Sequence, residues 1–263
     1  MTTTRQHWTN RTTLLTVTAA LALGCAGGCG APVSGDGSGA TAVTESLSID
    51  ARHANPNPAL FGKEARPFGL DMTRWSEDWW RWAYSLPTAR NPNTTLTADC
   101  DAGQEGPMFF LPGYFAGGQT TRTCTVSRHQ AIAVSLVSLL NDYPCPDPTF
   151  APAPGQSLYD FLLAGATAAQ TSEVASVAAS LDGRPFTDLA SYHYDSQALF
   201  YLTGDPSLTT IDSCVTGTRQ AAVAESYFIV LAPLTPGRHV LTASVTTPAG
   251  ATLSQATTTL DVR

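Results

Sequence analysis

Between residues 71 and 87 the apolar positions recur at helical spacing. Trp75, Trp79, Trp82 and Leu86 stand at i, i+4, i+7 and i+11, which places them on one face of an α-helix. Glu77, Asp78 and Arg81 fall mostly on the other side, and Trp80 lies on a flank. Asp71 suits an N-cap, because a short carboxylate can accept from the free amides of a first turn, and Pro87 closes the run. The pattern predicts an aromatic helix over 72–85. Beyond it the signal is that of extended chain. Residues 108–112, 121–126 and 131–140 are β-prone runs bounded by Gly, Pro, Asn or Asp, and read as strands. Residues 141–155 hold five prolines and Cys145 and read as loop. Ser157 and Asp160 resemble a capping box that opens a second helix near 158–169. A strand over 174–181 meets Asp182-Gly183, a hairpin turn, and continues as a strand over 185–194. Further strands are expected at 198–203, 227–231, 239–246 and 252–262. Many short strands with one or two helices predict a mainly β protein, an antiparallel β-sandwich of jelly-roll or immunoglobulin-like type, as a single domain over 49–263.

The first residues follow a different logic. Arg5 and Arg11 form a positive start with no acid, and an uncharged stretch from Thr12 to Leu23 follows. That layout is an export signal over 1–24, too short for a mature membrane span of about 20 apolar residues. Ala22-Leu23-Gly24-Cys25 resembles a bacterial lipobox, which makes Cys25 the lipidated N-terminus; ordinary cleavage near Ala31 is the alternative. Acyl chains on Cys25 would tether the protein, each buried CH₂ contributing about 0.8 kcal/mol. Residue 26 is Ala rather than Asp, so in a Gram-negative cell nothing resembles an inner-membrane retention signal, and the expected location is extracytoplasmic, at the outer membrane. Residues 25–48, rich in Gly, Ser, Thr and Ala, read as a flexible spacer.

Composition sharpens this picture. Removing the leader takes away Arg5 and Arg11 and leaves 12 basic against 21 acidic residues, a net charge of −9. So acidic a body excludes general nucleic-acid binding, which requires a basic footprint. The charged fraction of 13% is about half that of an ordinary globular chain, and 43% apolar residues can supply a core. Of six cysteines, Cys25 is assigned to lipid and Cys29 sits in the spacer. Cys100, Cys124, Cys145 and Cys214 remain, and four cysteines allow three connectivities. No C-x-x-C or zinc-finger spacing occurs, and an exported chain favours disulfides. The expected pairs are Cys100 with Cys124 and Cys145 with Cys214.

A longer pattern runs Trp75…Trp79-Trp80-Arg81-Trp82…Pro87, then Asn91-Pro92. It continues with Cys100…Gln104-Glu-Gly106-Pro107-Met-Phe-Phe-Leu-Pro-Gly113 and Arg122-Thr-Cys124. Over about 70–140 it is similar to a family of exported bacterial proteins with no assigned activity. The resemblance implies the Cys100–Cys124 pair and says nothing about chemistry.

Three candidate sites follow from residue types. Trp80 and Tyr84 could stack a ligand such as a sugar if their ring faces were exposed; helical periodicity instead assigns the aromatic set to core. His193 and Asp195 would share a face of a strand, and with His239 approaching across the sandwich they would resemble a His-x-Asp…His transition-metal triad; the alternative is a half-buried strand histidine with one hydrogen bond. Asp99, Asp101 and Glu105 flank Cys100 in a Gly-containing loop and could hold calcium, although the loop lacks a full calcium register and reads equally as a solvated acidic turn. No nucleophile elbow, phosphate loop or dinucleotide fingerprint is present, so no catalytic residue and no cofactor is expected. The expected function is a membrane-anchored, non-catalytic binding module whose partner is an envelope glycan or another surface protein. A glycan hydrolase or metal-dependent oxidoreductase on the same scaffold, and a purely structural envelope protein, are the alternatives.

Overall fold

In the computed structural model the described residues are Asn57 and 59–263. The leader 1–24, Cys25, Cys29 and the spacer 25–48 lie outside them. Helix α1 spans Met72–Ser85, as predicted, and the Asp71 carboxylate accepts from the Arg74 amide at 2.9 Å. Strands β1 (Met108–Leu111), β2 (Gly118–Val126) and β3 (Ala131–Tyr143) follow. Next come helix α2 (Leu158–Glu173) and strands β4 (Ser176–Leu181), β5 (Arg184–Pro185), β6 (His193–Asp195) and β7 (Phe200–Thr203). Three long strands, β8 (Arg219–Leu231), β9 (Gly237–Thr246) and β10 (Thr252–Val262), complete the order. The Ser157 hydroxyl accepts from the Asp160 amide at 3.1 Å, the capping interaction expected of α2.

The strands form two five-stranded sheets. In the first, β1, β3 and β8 are neighbours and β8 carries both β6 and β7 on its far edge; in the second the order is β2-β10-β9-β4-β5. The expectation of a purely antiparallel sandwich needs correction, because β1 pairs with β3 and β2 pairs with β10 in parallel. The chain alternates between sheets from β1 to β2 to β3, so β1 and β3 meet only after an excursion through the opposite layer. A hairpin, which would force antiparallel pairing, never forms there.

The proposed strand over 185–194 is also corrected. The hairpin from β4 stops at Arg184–Pro185, since Pro185 has no N–H to give to a ladder. Asp188 then takes a left-handed turn at φ 54°, a short 3₁₀ turn covers Leu189–Ser191, and β6 joins the other sheet. Strand β8 begins eight residues before the predicted 227. Its first half, Gln220-Ala-Ala-Val-Ala-Glu-Ser, is buried on both faces and shows no alternation to read.

Burial organises three layers. Phe109, Leu111, Val126, Ile132, Val134, Ile229, Leu231, Leu241 and Leu260 fill the space between the sheets. The opposite face of the first sheet is covered by α1, whose Trp75, Trp79, Trp80 and Trp82 pack with Met108, Ala131, Ala133, Phe228 and Val230. A bulge at Leu136, where the β3–β8 register slips between Ser135 and Val137, exchanges the two faces of β3. Ala131 and Ala133 face α1 before it, and Leu140 joins the same cluster after it. Helix α2 covers the rest of the inner face of β8, with Leu162 and Ala166 on Val223. Glu77, placed by the helical pattern on the polar side, is buried; it pairs with Arg74 at 2.9 Å and accepts from the Ser196 hydroxyl at 3.1 Å. Burial raises its pKa.

Both body disulfides are formed as expected, Cys100–Cys124 and Cys145–Cys214. Two closed disulfides fit an oxidising, extracytoplasmic environment.

Candidate functional site

The chemically richest cluster lies where β6, β8 and α2 meet. The antiparallel register sets His193 opposite Tyr227 and Asp195 opposite Glu225, and opposed residues share a sheet face. Glu225 is buried, and both of its oxygens are used: Oε1 lies 3.1 Å from His193 Nε2, and Oε2 accepts from the Thr167 hydroxyl of α2 at 2.5 Å. A buried carboxylate thus fixes the imidazole by one nitrogen. The ring packs at 4.7 Å from that of Tyr227 and keeps a third of its side chain in solvent, with Nδ1 as the remaining polar atom. The arrangement presents an oriented, part-exposed imidazole nitrogen for hydrogen bonding.

Helix α2 extends the cluster inward. Leu162 meets Val223 and Thr167 meets Glu225, so the helix advances along β8 toward Tyr227. Its next turn carries Gln170, which is buried with neither amide atom hydrogen-bonded. A buried amide without protein partners leaves a donor and an acceptor that a bound water can satisfy. Glu225 carries a sequence signal, as a lone acid inside the apolar run from Ala221 to Leu231. Gln170 carries none, because a glutamine on a helix ordinarily faces solvent.

The predicted metal triad does not assemble. His193 and Asp195 share a face, but His239 lies on β9 in the other sheet, with Nδ1 at 2.7 Å from Asp182 Oδ2 and Nε2 at 2.9 Å from the Thr235 carbonyl. The hydrogen bond to Asp182 raises the His239 pKa. Approach across the sandwich fails because both ring nitrogens of His239 are turned to Asp182 and Thr235 instead of toward His193. Among the described residues no three His, Cys, Asp or Glu side chains group as metal ligands.

The same holds for the calcium set. Asp99, Asp101 and Glu105 are exposed around the Cys100–Cys124 bridge. The loop is organised instead by Gln104, whose amide donates to the Cys100 and Phe110 carbonyls and accepts from the Phe110 amide at 2.6 Å. That side chain occupies the open edge of β1 as a strand would. Two shallow clefts of about 390 and 400 Å³ flank the bridge; both include Asp101, and the second also includes Asp99 and Arg122.

Trp80 and Tyr84 are each 6% exposed and offer no face to a ligand. Phe115 stacks on Trp80 at 5.8 Å, Tyr84 meets Trp80 edge-on at 5.3 Å, and the Trp80 indole donates to the Ser138 hydroxyl at 2.7 Å. The Tyr84 hydroxyl donates to Asp212 at 3.0 Å. Trp80 sits off the apolar stripe, but the loop bearing Phe115 closes over that flank, so α1 is buried on two sides and the stacking site is ruled out.

No protein-family model matches the chain, and no curated protein does. Among solved structures, the solution structure of amebosin aligns with 56% of this chain and 98% of its own, at 10% identity and a TM-score of 0.19. PbICP-C, solved in complex with falcipain-2, aligns with 60% and 98%, at 11% identity and a TM-score of 0.22.

Proposed function

We propose that the chain is an exported lipoprotein, tethered to a bacterial membrane through Cys25, whose folded body is a non-catalytic binding module at the cell envelope. The observation that carries this reading is the pair of closed disulfides in the body, which matches the compartment that the charged start, apolar stretch and Ala22-Leu23-Gly24-Cys25 run address. The partner is an envelope glycan or another surface protein. With the aromatic rings buried, recognition would rest on polar contacts, for which the part-exposed His193 imidazole, held by Glu225, is the best-placed group.

The test is co-sedimentation of the chain, released from lipid, with isolated envelopes. Retention in the pellet, reduced by His193→Ala, with no soluble sugar or peptide fragments released, is the expected result. Release of fragments would make the chain a hydrolase, and absence of retention would contradict a binding role.

A further inference from the structure

Segment 204–218 closes over the end of the first sheet beside α1. It is tied to α1 by the Asp205 amide, which donates to the Tyr84 carbonyl at 2.8 Å, and to the turn after the helix by the Ser207 hydroxyl, which accepts from the Thr88 amide at 2.8 Å. Leu208 and Val215 are buried beneath it. The Cys145–Cys214 disulfide fastens it to the chain leaving β3. At the centre of this contact two acids face each other. Asp142 stands three residues before Cys145, and Asp212 two residues before Cys214. Residues 138, 140 and 142 of β3 point to the α1 side after the bulge, so Asp142 looks toward Tyr84 and Asp212.

The pair is unequally satisfied. Asp212 Oδ2 accepts from the Tyr84 hydroxyl at 3.0 Å, and its Oδ1 accepts from the Cys214 amide at 2.8 Å. Asp142 is 3% exposed and its Oδ2 has no hydrogen-bond partner. Among the described residues no cation pairs with the two acids. From α1 the facing group is Tyr84, from the segment Asp212, and from β8 the uncharged Gln220, which donates to the Pro144 and Cys214 carbonyls. Arg219 turns away to cover the Tyr201 ring at 3.5 Å.

We propose that Tyr84, Asp142 and Asp212 form a proton-operated clasp on segment 204–218, closed while Asp142 is protonated and loosened when it ionises. Burial, with the charge of Asp212 adding to it, pushes the Asp142 pKa up to about 7. With the segment open, Asp142 would return to an ordinary carboxyl value near 4. A carboxyl whose pKa is higher in the closed state binds more protons there, so closure is favoured at low pH and weakens as pH rises toward 7. Between pH 5.5 and 8.5 the open-to-closed ratio should rise about 30-fold, by linkage. The disulfide would keep the opened segment attached, so that release of Leu208 and Val215 is reversible.

The experiment is amide hydrogen exchange on the full chain, expressed at each pH as protection relative to the unfolded rate. The reporting amides are Leu208, Ile211, Asp212 and Val215, which all bond within the segment. Protection should fall about 30-fold from pH 5.5 to 8.5 and stay flat in Asp142→Asn. Unchanged protection in the parent chain, or the same fall in Asp142→Asn, would overturn the proposal. Carboxyl ¹³C titration of the unmodified protein keeps the test decisive if that variant does not fold: a midpoint near 7 for Asp142 supports the clasp, and one near 4 refutes it.

Discussion

Asn91 is fully buried, and three polar groups depend on it. Its Nδ2 donates to the Ala83 carbonyl at 2.6 Å, and its Oδ1 accepts from both the amide and the side chain of Asn93 at 2.9 Å. Asn93, also buried, accepts in turn from the Gly113 amide at 2.9 Å. The two side chains therefore join the last turn of α1 to the loop that carries Phe115 over Trp80. Asn91→Ala would leave the Ala83 carbonyl and two Asn93 donors unpaired away from water. At about 1–3 kcal/mol for each orphaned group, and with partial relaxation, the loss should be about 4 kcal/mol, a large share of the 5–15 kcal/mol typical of a domain. Urea unfolding followed by tryptophan fluorescence measures it, with Thr97→Ala on the exposed loop as a control expected within about 0.5 kcal/mol of the parent. A loss below about 1 kcal/mol for Asn91→Ala would refute the idea that this network holds the end of the helix.

Two further predictions use different physics. Gly165 lies inside α2, where alanine usually gains about 1 kcal/mol, but a Cβ there would collide with the Asn141 amide that donates to the Leu162 carbonyl; Gly165→Ala should destabilise by about 1–3 kcal/mol in thermal unfolding, and equal or higher stability would contradict the packing of α2 on β3. His239 is held by Asp182, so Asp182→Asn should move the His239 titration to lower pH, as read by ring-proton NMR. In the parent chain that pair contributes fully below the ordinary histidine pKa of 6.5 and is lost as pH rises through the raised value; an unmoved titration would contradict the assigned hydrogen bond.

Helix α1 was legible because three tryptophans, a capping Asp71 and Pro87 all agree, and each acts within a few residues. The α2 cap at Ser157 was legible for the same reason. The disulfide pairs followed from spacing and loop placement. Strand direction was not legible: the β1–β3 and β2–β10 pairings depend on which sheet each strand enters, and no local residue encodes that. Periodicity assigned the aromatic set to core, but what covers Trp80 and Tyr84, namely Phe115 and Asp212, comes from distant loops that no local residue encodes. The error over 185–194 was avoidable, since Pro185 and Asp188 are both residues that break a ladder. The candidate site was half legible, as His193 and Asp195 were paired on one face, while the partners that fix and extend it, Glu225, Thr167 and Gln170, arrive from other elements.

The chain is proposed to be an exported lipoprotein whose lipid-tethered N-terminus carries a disulfide-closed body. The most direct test is the intact mass of the chain extracted from bacterial membranes, measured before and after reduction. The expected chain begins at Cys25 with diacylglyceryl and acyl groups attached, and holds two disulfides in the body that reduction opens. An unmodified chain beginning after Ala31, or one that keeps residues 1–24, would contradict the proposal.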